Sequence, residues 1–580
     1  MSRGLALALF VAAAGALALR LPQLDRRPMH NDEAVNAVKI QGLWERGEYR
    51  YDPDEYHGPS LYYFTLPFIW LSGAEDFSQL SERTLRSVTV AFGLALVLLL
   101  WLVRDGLGKP ATLVAAVLTA ISPAMVFYSR YFIHEMLLVC FTMVALAGGW
   151  RYTQTRCAGW AAVTGAGVGL MYATKETFVI NLGAIGLALA LTWAWSRWRD
   201  KATLDWKRGW NWKHALLALA VAAGVSMVLF TSFFSNLRGP LDSVRTYFPW
   251  LHRAGGESPH IHPWNYYLER LVWYHPARSP VWSEGLIVAL ALVGYAAALR
   301  RKGTAQRAET REPAQTAEAP TAALRVNRNA PSPDPSPPLG ERVPGGRVRG
   351  RFRDSTREFV RGILVPDFNP AFVRFIGFYT VILTAVYSLI SYKTPWCMLG
   401  FLYGMILLAG IGAVTLIRFV RVRSLQVGVG LLLLAGGAHL GWEAWRVSHP
   451  LAADRRNPYV YAQTVPNLLE LVEKVRAIAR VSPDGDRTVV KVIAPEHDYG
   501  PLLWYLRPFK RIGWYDSLAD PYAPLMIVSA KFSAGLDEKS NKRYLSVGFF
   551  EMRPQVFFEL YVEFELWKRY VETLPRPKEE

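Results

Sequence analysis

The sequence predicts an α-helical polytopic membrane protein with a small α/β domain at its C-terminal end, on the non-cytoplasmic side. Three observations carry that expectation: a series of long apolar runs, Lys and Arg gathered in alternate loops between them, and a change to soluble-domain composition from about residue 455. Of 580 residues, 52% are apolar and 13% aromatic, which excludes a disordered chain. The formal charge of +18 invites a nucleic-acid reading. The basic residues lie between apolar runs with no basic stripe, so no nucleic-acid partner is expected. Cys140, Cys157 and Cys397 show neither metal-ligand spacing nor a disulfide framework.

A stretch of about 20 apolar residues crosses the hydrocarbon core. Candidate spans fall near 4–21, 85–103, 111–128, 135–150, 158–174, 177–195, 214–233, 282–299, 372–391, 397–417 and 425–442, or about eleven in all. The first resembles a signal peptide but lacks a clear small-x-small cleavage pattern, so a retained signal-anchor is expected. Residues 59–71 are short, aromatic and interrupted by Pro67, which suits an interfacial helix better than a crossing. Charge bias supports that choice. With a cytoplasmic N-terminus and no crossing at 59–71, every cytoplasmic loop (104–110, 151–157, 196–213, 300–371, 418–424) carries at least two basic residues.

The resulting domains are a transmembrane catalytic module over 1–300 with its outer loop 22–84, a linker over 301–360, further spans over 361–443, and an extracytoplasmic α/β domain over 444–580. The linker is rich in Pro, Ala, Arg and Glu and cannot bury a core. In the last domain, 460–480 has helical periodicity and Thr488–Ala494 reads as a strand.

Ionisable groups at membrane depth are costly and therefore candidates for function. Two clusters emerge on the outer side: His30-Asn31-Asp32-Glu33 after the first span, and Arg130 through His134-Glu135 before the fourth. Asn31 or Asp32 can simply cap the following helix, and Glu135 can complement a helix dipole. A carboxylate beside His could bind a divalent cation or orient a hydroxyl, which makes Asp32, His134 and Glu135 the candidate metal ligands. Tyr56 and His57 lie in a Pro/Gly-shaped outer loop and could face a sugar or headgroup. His260 and His262 are a further surface pair. Lys175 and the stretch Tyr392-Lys393 lie at outer ends of spans. Snorkelling explains such lysines, yet a compact positive charge also suits phosphate.

Taken together, these stretches resemble the GT-C glycosyltransferases, membrane enzymes that include the protein O-mannosyltransferases and the lipid A aminoarabinose transferase. The resemblance rests on Asp32-Glu33, Pro59-Ser60-Leu61-Tyr62-Tyr63, Ser122-Pro123, Glu135 and Gly169 through Lys175. More narrowly, His30-Asn31-Asp32-Glu33-Ala34, Tyr56-His57-Gly58-Pro59, Tyr128-Ser129-Arg130-Tyr131 and Tyr392-Lys393-Thr394-Pro395-Trp396 resemble a bacterial and archaeal family. That family is named for its association with flippase activity in archaeal glycosylation. The resemblance implies a polyprenyl-phosphate-linked sugar as donor and inverting transfer to a glycan, lipid or protein acceptor outside the cytoplasmic membrane. It implies Asp32 as general base, with Glu33 beside it, and Glu135 as the second acid, longer than the Asp of many relatives. Lys175 and Lys393 would neutralise the phosphate, while His30, Tyr56, His57, Arg130, His134 and Tyr392 would bind substrate. The alternatives are a lipid-linked sugar flippase or transporter and a non-catalytic subunit of a glycan assembly system. Transporters commonly carry repeats and midplane charges, whereas these acids lie at the rim.

Overall fold

The computed structural model describes residues 3–54, 57–201, 211–255, 260–301, 368–518 and 521–575. Tyr56, and the expected linker beyond Arg301, lie outside the described residues.

The chain is an integral-membrane helical bundle topped by a five-stranded domain. In order, its helices are Arg3–Arg20 (α1), Asn31–Arg46 (α2), Ser60–Ser72 (α3), Glu82–Leu107 (α4), Lys109–Ile121 (α5), Pro123–Ser129 (α6), Glu135–Thr155 (α7), Ala158–Tyr172 (α8) and Phe178–Arg199 (α9). There follow Trp212–Phe230 (α10), Gly239–Arg245 (α11), Tyr247–Gly255 (α12), Tyr266–Val272 (α13), Gly285–Arg300 (α14), Pro370–Leu389 (α15), Leu399–Phe419 (α16) and Arg423–Ser448 (α17).

Each expected span is helical, but not each is long enough to cross alone. Among the described residues eight helices are long and apolar enough, or nine if α5 and α6 count as one span bent by 57°. The sequence led us to expect about eleven. Two shortfalls have local causes: α8 stops after 15 residues, where the chain turns towards Lys175, and α14 has 16. The bend between α5 and α6 falls at Ser122-Pro123, where proline cannot supply the helical N–H. The aromatic segment forms α3, which at 13 residues is too short to cross.

α16 runs through the centre and is buried from Leu399 to Ala413. It meets α14 at small residues: a Cβ on Gly294 would lie 2.1 Å from the Leu408 carbonyl, and one on Gly412 would lie 1.9 Å from that of Leu290. Without side chains the two backbones approach closely, the usual means of packing helices where lipid supplies no hydrophobic drive.

In the outer domain, strands Val490–Ile493 (β1), Ile512–Tyr515 (β2), Leu525–Ser529 (β3), Tyr544–Arg553 (β4) and Val556–Glu563 (β5) pair in the order β2-β1-β3-β5-β4. β1 runs parallel to β2 and β3; β5 is antiparallel to β3 and β4. The central strand β3 is buried throughout. Helix Asn467–Arg480 (α18) covers the sheet with Leu468, Leu471, Val472, Val475 and Ile478, an i, i+3, i+4 stripe.

The helix expected from 460 begins instead at Asn467, after Pro466. The preceding strap, 449–466, runs back over the bundle. Asn457 holds it to the carbonyls of Val447 and Leu451 at 3.0 Å each. The domain also grips the loop before α2, since Tyr505 Oη accepts from Met29 N at 2.7 Å and Gln463 donates to Pro28 O at 2.9 Å. This grip fixes the loop that carries the first acidic cluster.

Candidate functional site

Glu33, fully buried, organises that loop. Arg86 donates to it twice, from Nε and Nη2, each at 2.7 Å. Arg27 Nη2 (3.2 Å), the backbone N–H of His30 (3.0 Å) and that of Phe132 (2.9 Å) complete the set. Burial alone would lift the Glu33 carboxyl, but the Arg86 and Arg27 guanidiniums hold it down to about 2. With its oxygens so engaged, Glu33 has no free position for a substrate. The expected catalytic role is corrected: Glu33 is a positioning residue.

The helix cap is corrected too. His30, not Asn31 or Asp32, caps α2: its Nδ1 accepts from Asp32 N at 3.1 Å, and Glu33 returns the bond to the backbone of His30. His30 Nε2 then donates to Tyr461 O at 3.0 Å, which uses both ring nitrogens and fixes the neutral tautomer. Burial pushes this imidazole down. His30 therefore orients Asp32 rather than contacting substrate through a free nitrogen. Asp32 itself projects from the first turn with its side chain 45% exposed and one oxygen 3.7 Å from His30 Nδ1.

The second cluster meets the first, as one rim requires. The loop after α6 is bonded directly to the loop before α2 through Glu33 and Phe132 N, and through Arg27 and the Arg130 carbonyl at 2.8 Å. Arg130 does not face a substrate. Its guanidinium donates to the carbonyls of Arg20, Pro22 and Gln23 at 2.6–3.1 Å and caps the C-terminal end of α1. Burial, with Arg27 and Arg86 nearby, pushes it down to about 9. The expected substrate contact is replaced by a structural one.

Glu135 opens α7 and forms a buried ion pair with Lys175, in the turn after α8. Burial would strip the lysine of its proton, but the Glu135 carboxylate more than compensates and raises it above the ordinary range. The pair lines a small cavity of about 20 Å³, room for about one water, with Thr177, Asn181, Tyr387 and Trp396. Trp396 also joins the two clusters: its ring lies 6.0 Å from His30 and 6.0 Å from Tyr131. Trp396, which lines the Lys175 cavity, thus stands beside His30, two residues before Asp32.

The His57 loop docks on the same turn. Gly58 N and Ser60 N donate to the carbonyls of Thr174 and Ala173 at 3.1 and 2.9 Å. A Cβ on Gly58 would come within 2.3 Å of the Ala173 carbonyl, so only glycine permits the approach. His57 Nδ1 pairs with Glu176 at 2.7 Å and its ring stacks on Trp250 at 4.9 Å. Burial would raise the Glu176 carboxyl, but His57 and then Lys175 bring it below the ordinary range. His134 sits edge-on to His57 and donates from Nε2 to Gly58 O at 3.0 Å, and among the described residues its buried Nδ1 has no hydrogen-bond partner. Burial, followed by the positive neighbours His57 and Lys175, pushes it well down.

Lys393 lies apart from the Lys175 pair's bonds. Its ammonium donates to the carbonyls of His262 (3.0 Å) and Ile390, fastening one loop to another. Tyr392 packs against His260, ring centres 4.9 Å apart. The three candidate metal ligands do not assemble: among the described residues no group of three or more His, Cys, Asp or Glu side chains could hold a metal ion. Glu135 pairs with Lys175, and His134 Nε2 with Gly58 O.

Sequence reasoning missed Arg86, Glu284 and Tyr461. Arg86 was visible as a charge inside an apolar run. Glu284, fully buried, accepts from Ser122 Oγ, Ala124 N and Tyr459 Oη at 2.5–2.9 Å and so anchors both the α5–α6 bend and the strap. It too was visible as a charge inside an expected span, 282–299.

Residues 58–236, which include Lys175, Glu135 and the docked Gly58, match the family model described as dolichyl-phosphate-mannose-protein mannosyltransferase. No curated protein matches the chain by sequence. The whole fold is similar to that of ArnT from Cupriavidus metallidurans in the apo state: 14% identity, 95% of this chain and 97% of that one, TM-score 0.55. The same protein bound to undecaprenyl phosphate gives a TM-score of 0.52 at 14% identity over the same shares. The archaeal oligosaccharyltransferase AglB from Archaeoglobus fulgidus, in complex with an inhibitory peptide and a dolichol-phosphate, gives 0.52 at 11% identity over 98% of this chain and 77% of that one. The resemblance to a mannosyltransferase family model thus covers 58–236, and the fold along the whole length is similar to those of ArnT and AglB.

Proposed function

We propose that the chain transfers a sugar from a polyprenyl-phosphate carrier to an acceptor hydroxyl at the non-cytoplasmic face of the cytoplasmic membrane, with inversion at the anomeric carbon. One observation carries this reading: the half-exposed carboxylate of Asp32 follows His30, whose ring neighbours Trp396, and Trp396 lines the cavity of the buried Lys175. The acceptor oxygen attacks the anomeric carbon and its proton passes to Asp32, a general base at the solvent side. The bonding pair of the breaking C–O bond leaves on the carrier phosphate, whose growing negative charge Lys175 stabilises. Glu135 holds that ammonium in place until the phosphate arrives. The undecaprenyl phosphate bound by the similar ArnT fold supports a carrier of this chemistry.

Membranes containing the full chain, supplied with radiolabelled polyprenyl-phosphate hexose and cell-envelope extract, test the assignment. Asp32→Asn is expected to lower transfer by about 10²-fold or more at normal protein level, while leaving retention of the labelled carrier intact. Undiminished transfer would remove Asp32 from the mechanism.

A further inference from the structure

Between α10 and α13 the chain carries an apolar face that the fold itself leaves uncovered. α11 and α12 are separated only by Thr246, whose backbone is also helical (φ −55°, ψ −24°). The i→i−4 bonds run across it: Thr246 N donates to Asp242 O at 3.0 Å, and Trp250 N to Thr246 O at 3.3 Å. The two helices therefore share one phase. Leu241, Val244, Phe248 and Leu251, spaced three or four residues apart, fall on one face. Each is between 54% and 74% exposed. Phe233, Phe234 and Leu237, just ahead of α11, are exposed as well.

The opposite face does the packing, and it packs on the ends of helices. A Cβ on Gly239 would lie 1.8 Å from the Phe230 carbonyl, so α11 begins against the end of α10. Ser243 Oγ lies 2.7 Å from Tyr172 Oη, at the end of α8. Thr246 Oγ1 donates to Pro53 O at 2.8 Å, and Tyr247 Oη donates to the Glu176 carbonyl at 3.3 Å, just before α9. Trp250 follows, stacked on His57. The stretch thus lies across the ends of α10, α8 and α9 in turn, at the level of the Lys175 turn, instead of rising away from them. Two of these helices, α9 and α10, are long and apolar enough to cross the membrane.

A helix on a soluble core turns its apolar stripe inward. Here the polar and small residues face the protein and the stripe faces out, at the level where two spans end. An apolar surface of this kind marks a contact with lipid or another protein. Continuity decides for lipid: exposed apolar residues follow one another along the chain from Met227 of the span α10 through Phe233, Phe234 and Leu237 to the stripe. A partner from solution would have to reach it at the membrane boundary.

We propose that residues 233–251 form an in-plane membrane element, whose stripe dips into the acyl-chain boundary of the leaflet at the Lys175 end of the bundle. Arg238 and Arg245, exposed and seven residues apart along one edge of the stripe, keep their charge among the headgroups. Through Trp250 the same element holds the His57 loop at that depth.

The test places a nitroxide at single positions of the full chain in phospholipid nanodiscs. Cys157→Ser removes the exposed cysteine, and that chain without an added cysteine sets the labelling background. Labels at Val244→Cys and Phe248→Cys are compared with Leu219→Cys, on the exposed side of α10, and Glu538→Cys, on the exposed surface of the strand domain. All four side chains are exposed, so the substitutions leave the fold in place. Relaxation by oxygen, which concentrates among acyl chains, is set against relaxation by a water-soluble nickel chelate. At 244 and 248 the oxygen-to-nickel ratio is expected to be several times that at 538 and to approach that at 219. A ratio equal to that at 538 would overturn the proposal. So would spin–spin broadening at 244 and 248 that vanishes on dilution with unlabelled chain, because the stripe would then belong to a contact between two copies.

Discussion

Two buried glutamates stand a short distance apart at the same rim, and they are built for opposite ends. Glu33 is met by two guanidiniums and two backbone N–H groups, and it ties the loop before α2 to α4 and to Phe132. Glu135 meets one ammonium, at the edge of a cavity of about 20 Å³. A carboxylate with every lone pair engaged can only hold; one whose partner borders empty space can exchange that partner for a ligand. Burial and charge alone do not distinguish the two, but the number of donors around each does.

The largest effect is expected at the saturated site. Glu33→Gln keeps the shape but leaves Arg27 and Arg86 buried without their counter-charge, at a cost of about 3–5 kcal/mol. Thermal unfolding in detergent should show a strongly lowered midpoint, or the chain should fail to accumulate. A Glu33→Gln protein as stable as the wild type would dissolve the contrast.

A smaller loss of stability, about 1–3 kcal/mol, is expected for Glu135→Gln, because Lys175 can take water from the cavity as a substitute partner. The same change should strengthen binding of undecaprenyl phosphate by about tenfold, or 1.4 kcal/mol, since the competitor for the ammonium is gone. Titration of the solubilised protein with that carrier reads it directly. Weaker binding in Glu135→Gln would mean that the glutamate helps to seat the carrier rather than competing with it.

The positions of the spans were legible because apolar length and the placement of Lys and Arg follow from the bilayer itself. That the two acidic clusters share a rim followed from the same topology. What each residue does there was not. Asp32 and Glu33 are neighbours in a helix's first turn, yet one points to solvent and the other into a nest of donors, one of which, Arg86, comes from fifty-three residues further along the chain. Arg130 and Lys393 carry the charge a phosphate would need, and both are consumed by backbone carbonyls from distant loops. The strap that brings Tyr461 to the rim lies where periodicity suggested a helix. Pro458 and Pro466 interrupt the pattern, and the buried Tyr459 hydroxyl is drawn to Glu284 at 2.7 Å. These are long-range pairings, and no local pattern encodes them.

The remaining effect is a separation along the pH axis. Glu33 is held at about 2 in the folded chain against an ordinary 4.5. Such a depressed acid adds stability above pH 4.5, roughly 3 kcal/mol, that is lost as pH falls from 4.5 towards 2. His262 is depressed as well, to about 4 from 6.5, by burial and by Arg270. Its folded form prefers the neutral ring, so its share is present above pH 6.5 and fades as pH falls through 6.5 towards 4. Acidification should therefore weaken the protein in two steps: a shallow one in the histidine range, to which His262 contributes, then a steeper one below 4.5 at the glutamate nest. Unfolding midpoints measured from pH 8 to pH 3 resolve the steps. His262→Asn should shrink the shallow one and leave the steep one in place, because Asn cannot gain the proton that the unfolded imidazole takes up, while His30, His134 and His260 are lowered too and keep the rest. A shallow step of unchanged size in that variant would remove His262 from it.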